Sequence, residues 1–111
     1  MNQAEPNPAA KDSGPASFSS LPLPPHVLAN LARLGYAAMT PIQAASLPLA
    51  LAGKDLIAQA RTGSGKTAAF ALALLANLNI RRLAVQGLVL CPTRELADQV
   101  TQELRRLAGQ F

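Results

Sequence analysis

The chain has 111 residues, half of them hydrophobic but only three Phe and one Tyr among them, so a core must be built from Ala, Leu and Val. That length suits one domain at most, and such a core suits helices packed on a sheet. Ten Lys and Arg against six Asp and Glu leave a charge of +4, which fits a phosphate-rich partner and equally an ordinary basic surface.

Cys91 is the single cysteine, which excludes an intrachain disulfide and favours a reducing, cytoplasmic setting. No signal-peptide pattern opens the sequence, and no apolar run reaches the roughly 18 residues that a membrane span needs. A soluble intracellular protein with no membrane partner is expected.

Taken in order, residues 1–17, MNQAEPNPAAKDSGPAS, are too polar and too rich in Pro and Gly to repay the entropy of ordering, and read as a disordered tail. Pro24 and Pro25 then precede HVLANLARL, an amphipathic helix with Val27, Leu28, Leu31 and Leu34 on one face and Gly35 as its stop. Thr40 and Pro41 form an N-cap and first-position pair for IQAASLPLALA, which Pro48 is expected to split or kink.

DLIAQA, residues 55–60, reads as a buried strand, and KTAAFALALLANL as a helix apolar nearly all round, buried on more than one side. A second strand is expected over residues 87–91. A last helix opens at Pro92 and Thr93 and runs to about Ala108, with Leu96, Val100, Leu104 and Leu107 on one stripe. Glu95 in its first turn and Arg105 and Arg106 in its last agree with the helix dipole. Strand alternating with helix implies an α/β fold with a parallel sheet.

ARTGSGKT lies between the first strand and its helix. Gly63 and Gly65 let successive amides face one way with no Cβ in the path; Lys66 adds a full charge to the positive end of the helix; Thr67 offers a hydroxyl to magnesium. The bland reading is a glycine turn that opens a helix, but Gly-x-Gly-Lys-Thr should arise by chance in only about one chain in a thousand of this length. The strict pattern G-x-x-x-x-G-K-[ST] is broken once, by Ala60 in place of the first glycine.

With these residues in view, ARTGSGKT resembles motif I of the DEAD-box ATP-dependent RNA helicases, in which Ala commonly stands at that place. GYAAMTPIQ, residues 35–43, resembles their Q motif, PTRELA, residues 92–97, their motif Ia, and Phe18 stands 17 residues before Gly35 as the family pattern has it. Within the family, LVLCPTRELADQV and GSGKTAAF resemble a bacterial branch that acts on ribosomal RNA.

The resemblance implies the amino-terminal part of a RecA-like P-loop domain. Its parts are a Q-motif region over residues 18–46 and an ATP-binding domain begun over residues 47–111 and left incomplete after motif Ia. It implies ATP and Mg2+ as cofactors and RNA, ribosomal RNA above all, as partner. Gln43 would read the N6 and N7 edge of adenine, and Phe18 would stack on the base. Residues Ala60, Arg61, Thr62, Gly63, Ser64, Gly65, Lys66 and Thr67 would wrap the phosphates, with Thr67 on the metal. Thr93, Arg94 and Glu95 would contact the RNA backbone.

Without the family, Gln43 is an ordinary helix residue, Phe18 a staple for the helix that follows, and Arg94 a solvent-facing side chain on a capped helix. Tyr36 and Met39 stand where many members have Phe and Pro, and both keep apolar bulk. Arg81 and Arg82 match no motif and read as a solvated loop.

The acidic motif of the family is absent from the sequence, so no catalytic residue is assigned and the 111 residues alone are expected to be inactive. The two strands are not neighbours in a RecA-like sheet, which implies open edges. A noncatalytic nucleotide- or RNA-binding piece, or another P-loop ATPase, are the alternatives.

Overall fold

A computed structural model describes residues 17–109. The tail expected over residues 1–17 lies outside them except for Ser17, which belongs to the fold. Its carbonyl accepts from Ser20 N at 3.1 Å, closing a 3-10 turn over Phe18–Ser20, and it forms an antiparallel bridge with Ala38.

Four α-helices follow: α1 Pro25–Arg33, α2 Pro41–Leu51, α3 Lys66–Ala76 and α4 Arg94–Ala108. The Pro24 carbonyl accepts from Val27 and Leu28 to start α1, and Val27 and Leu31 are its buried face. The helix ends in a paired closure: Gly35 N donates to Ala32 O at 3.1 Å and Tyr36 N to Leu31 O at 2.9 Å. That pattern needs a left-handed residue between helix and exit, and Gly35 has φ 92. The sequence therefore fixes where Tyr36 leaves the helix.

α2 opens on a reciprocal cap. Thr40 N donates to Gln43 Oε1 at 2.9 Å, and Gln43 N reaches Thr40 Oγ1 at 3.5 Å. Of the two outcomes expected at Pro48, a split does not occur: one helix runs through it to Leu51. The proline is exposed near the carboxyl end, its own carbonyl still accepts from Ala52 N at 3.2 Å, and its only intrinsic loss is a single donor.

α3 is the centre, packed on α2 and on α4, while α4 also packs on α1. Its buried residues are Ala68, Ala69, Ala71, Leu72, Ala73 and Leu75. Small side chains all round let helices approach from two sides, which is why a helix with almost no polar face suits this place. Phe18, Leu31, Leu47 and Leu107 complete the same core. α4 buries Val100 and Leu107 of the expected stripe; Leu104 is half-buried, and Leu96 remains exposed.

The two expected strands do not form. Among the described residues no β-ladder exists, and no backbone hydrogen bond joins residues 55–60 or 87–91 to another segment. Ile57 is 100% and Leu90 85% exposed. A strand is defined by its neighbour; the two segments do not pair with each other, as their separation in a RecA-like sheet implies, so their apolar side chains are left in solvent. Segment 87–91 nevertheless passes close to α3, since a Cβ on Gly87 would come within 3.0 Å of Leu74. No helix among the described residues is long and apolar enough to cross a membrane.

Candidate nucleotide-binding site

Residues 60–65 leave the unpaired segment and turn into α3. Gly65 is the N-cap residue of α3, left-handed at φ 93, and no side chain caps the helix. The first amides of α3 therefore have no partner within the helix and face the loop mouth, where the helix dipole is positive. Gly63 is also left-handed, and Ser64 N donates to Arg61 O at 3.3 Å, so the loop curls over itself.

Lys66 Nζ is turned back onto the carbonyl of Ala60. The loop thus closes with its own lysine, and a phosphate oxygen would compete with that carbonyl for the ammonium. Thr67 is half-buried one residue inside the helix, while Arg61 and Thr62 are exposed.

Ser64 Oγ is shut off from solvent and hydrogen-bonded to nothing among the described residues. A buried hydroxyl without a partner costs free energy. One that sits between two left-handed glycines, beside free helix amides and a lysine, matches an oxyanion that completes its bonding. The donor set fits a polyphosphate. For Mg2+ the one fitting side chain here is the Thr67 hydroxyl; among the described residues no group of three or more His, Cys, Asp or Glu could hold a metal by itself.

Gln43 reaches this loop from α2. Its Nε2 donates to Gly65 O at 3.2 Å, an oxygen that also accepts from Ala69 N at 3.1 Å. With Oε1 taken by Thr40 N, the amide has one N–H and one lone pair left, the complementary pair that an adenine edge requires. The side chain is 2% exposed, yet it lines the same cleft of about 770 Å³ as Gly63, Lys66 and Thr67. The packing leaves no slack: a Cβ on Gly65 would lie 2.5 Å from Gln43 Nε2 and 2.9 Å from Thr40 Oγ1.

Phe18 does not line this cleft. It is 3% exposed, sits in the core and meets Tyr36 edge-on at 6.0 Å between ring centroids. Burial of such a ring is favourable, and the edge-on contact with Tyr36 suits two aromatic side chains.

Thr93, Arg94 and Glu95 lie exposed at the start of α4. The Thr93 hydroxyl accepts from Leu96 N at 3.1 Å and so serves as the cap. The Arg94 side chain forms no hydrogen bond or ion pair with another described residue, which leaves its guanidinium available. Cys91 lines the cleft half-buried, consistent with a small residue at the end of its segment.

With this geometry established, the relatives can be compared. The family model described as DEAD/DEAH box helicase matches residues 40–111, nearly two thirds of the sequence, and takes in Gln43, the whole glycine loop and the start of α4. The chain belongs to the DEAD/DEAH box helicase family. It is 63% identical over 93 residues to ATP-dependent RNA helicase DbpA of Escherichia coli, covering 83% of this chain and 20% of that protein. To ATP-dependent RNA helicase DeaD of Buchnera aphidicola it is 55% identical over 87 residues, 78% of this chain and 14% of that one.

Among solved structures, a DEAD box protein from the hyperthermophile Methanococcus jannaschii superposes with a TM-score of 0.80 at 40% identity, over 85% of this chain and 26% of its own. Saccharomyces cerevisiae Dbp5 bound to RNA and ADP BeF3 gives 0.79 at 35% identity, over 83% of this chain and 24% of its own. The described residues are therefore part of a DEAD-box RecA-like domain, and the chain spans about a fifth or less of the length of these curated relatives.

Two features of this DEAD-box segment escape a reading of the sequence. The first is that Gln43 caps α2 and holds the phosphate loop at once; the Thr-x-x-Gln spacing of a capping box is the signal that could have found the cap. The second is a polar tie from Tyr36 to α4. Tyr36 OH donates to Glu103 Oε2 at 2.6 Å, and Arg106 Nη1 to Glu103 Oε1 at 2.7 Å. Burial, then the bond and the charge of Glu103, raise the Tyr36 phenol above its usual range, partly offset by Arg106. The Glu103 and Arg106 pair is legible as i,i+3 on a helix; Tyr36, 67 positions before Glu103, is not.

Proposed function

We propose that these residues form the adenine-reading and phosphate-gripping part of an ATP-dependent RNA helicase. The observation that carries the reading is the bond from Gln43 Nε2 to Gly65 O, which makes the side chain that would recognise the base part of the loop that would hold the phosphates. Adenine would take the spare donor and acceptor of Gln43; guanine offers an acceptor where adenine offers a donor and leaves one of them unsatisfied. An amide pairing of this kind is worth about 1–3 kcal/mol of discrimination.

Lys66 would exchange the Ala60 carbonyl for the β and γ phosphates, Ser64 Oγ would gain the partner it lacks, and the amides of residues 62–67 would line the polyphosphate. Thr67 would hold Mg2+, which supplies positive charge at the phosphate oxygens. Arg94 and the amino end of α4, with Thr93 and Glu95, would contact the RNA backbone, a contact that positions without reading sequence. Ribosomal RNA as the target and the cytoplasm as the location belong to the same reading and rest on the sequence resemblance.

The test is calorimetry of the intact polypeptide with Mg2+ and either ATP or GTP. ATP should bind with clear preference, Gln43→Ala should bring the two nucleotides to within about twofold of each other, and Lys66→Ala should abolish both. Equal affinity for ATP and GTP before mutation, or a preference that survives Gln43→Ala, refutes the reading and favours a P-loop ATPase of another kind.

A further inference from the structure

The loop that joins α3 to the unpaired segment 87–91 is internally tied, yet its charged side chains are left bare. Gln86 closes it like a clasp: Asn79 N donates to Gln86 Oε1 at 2.9 Å, and Gln86 Nε2 donates to Asn79 O at 2.8 Å and to Arg82 O at 3.1 Å. Inside the clasp, Arg81 N donates to Asn79 Oδ1 at 3.1 Å and Arg82 N to Asn79 O at 3.0 Å. The backbone around the two arginines is thereby fixed. Both side chains stand exposed and form no hydrogen bond or ion pair with another described residue.

A cation beyond the carboxyl end of a helix often serves the helix itself. Here that end is already served: Asn77 Nδ2 donates to Ala73 O at 2.8 Å, Asn77 N to Leu74 O at 3.2 Å and Leu78 N to Leu75 O at 3.2 Å. Nor does an acid balance the pair. Residues 56–94 hold Arg61, Lys66, Arg81, Arg82 and Arg94 and no Asp or Glu, whereas the rest of the chain sets its other Lys and Arg against all six acids. The excess positive charge of the chain therefore lies in this stretch, and its field favours a polyanion.

The two arginines are remote from the nucleotide site. They follow the carboxyl end of α3, and the glycine loop opens its amino end, about 16 Å away along an 11-residue helix. Segment 87–91 then returns to that amino end, where Cys91 lines the cleft with Gly63 and Lys66. Arg94, three residues on, is thus separated from Arg81 and Arg82 by the length of α3.

We infer that loop 79–86 is a second contact for the phosphate backbone of RNA, made by the guanidinium groups of Arg81 and Arg82 without nucleotide. Two guanidinium forks match phosphate oxygens, and a loop already closed loses little conformational freedom on binding. No aromatic side chain lies between Asn79 and Gln86 to stack on a base, so the contact positions RNA and reads no sequence. A lipid surface suits the loop less well, since two charges with no amphipathic helix beside them make a weak anchor. The inference takes RNA as the partner from the function proposed above and uses none of its nucleotide-binding residues.

The experiment measures, by fluorescence anisotropy, the affinity of the intact polypeptide for labelled oligo(U) and oligo(A) RNA over a range of salt and without nucleotide. Arg81→Ala combined with Arg82→Ala should weaken both RNAs by about tenfold and lower the salt slope by about 1.4, as expected for two single-strand phosphates. ATP affinity and the thermal midpoint should match those of the unmodified protein, because both side chains are exposed and outside the cleft. Arg81→Lys combined with Arg82→Lys should restore the slope. Gln86→Ala should weaken RNA with the slope unchanged, since it loosens the loop and keeps both charges.

RNA affinity and slope unchanged in the double alanine variant overturn the inference, as does a loss confined to one of the two RNAs. Phosphatidylserine vesicles that bind the unmodified protein and not that variant, with RNA affinity unchanged, assign the loop to a lipid surface instead. If ATP binds without preference over GTP while the arginine pair still governs RNA, only the proposed function falls. If ATP binds as proposed and the pair has no effect on RNA, only this inference falls.

Discussion

Gly65 concentrates more constraint than any other residue of the site. Its left-handed backbone alone would strain an alanine, and the alanine Cβ would meet Gln43 and Thr40 side chains that are pinned by the cap of α2. Strain of about 1–3 kcal/mol is expected from the backbone, and yielding by Gln43 would spoil the base-reading edge. Gly65→Ala should therefore weaken ATP binding by about tenfold or more, and calorimetry giving affinity within twofold of the unmodified protein would contradict this. Tyr36 supplies a second residue-scale test. Its phenol is raised in the folded protein, so its contribution to stability is complete below the unfolded value, about pH 10, and is lost as pH rises through the folded value. Thermal midpoints should fall more steeply above about pH 10 than those of Tyr36→Phe; parallel curves would refute it.

At the scale of elements, two threonines cap two helices with unequal geometry. The Thr93 hydroxyl is 3.1 Å from Leu96 N, whereas the Thr40 hydroxyl is 3.5 Å from Gln43 N, at the limit of a hydrogen bond. Removing a good cap costs about 1 kcal/mol. Thr93→Ala should lower unfolding stability by that amount, Thr93→Ser should restore most of it, and Thr40→Ala should cost less than Thr93→Ala; denaturant titration that reverses this order would show that hydrogen-bond length does not govern the caps. The helices themselves were legible because each carries its own punctuation. Pro25 and Pro41 open two of them, Gly35, Gly53 and Gly109 follow three, and the stripe of α4 runs at helical spacing. Pro48 does not split α2 because it stands exposed in the last turn, where the loss of one donor is small.

For the molecule as a whole, the unpaired apolar segments and the missing carboxylates lead to the same expectation. Phosphoryl transfer needs charge and an oriented water around the γ phosphate, and the described residues provide only the cradle. The 111-residue chain by itself should hydrolyse ATP no faster than a Lys66→Ala control, and a Lys66-dependent turnover in a coupled phosphate assay would disprove this. Exposed Ile57, Leu83, Val85, Leu88 and Leu90 also predict that the isolated chain binds a hydrophobic dye.

Local chemistry was enough for the sequence to determine the order of helices, the Ala and Leu core around α3, and the loop from Ala60 to Thr67, since caps, glycine conformations and helical spacing act within a few residues of one another. Tertiary structure decided what depends on distant neighbours. Segments 55–60 and 87–91 have strand-like sequences, yet a strand requires a partner that they do not provide for each other. Phe18 is buried in the core beside Tyr36, and Tyr36 found Glu103 only because the closure of α1 and the packing of α4 brought them within hydrogen-bond reach.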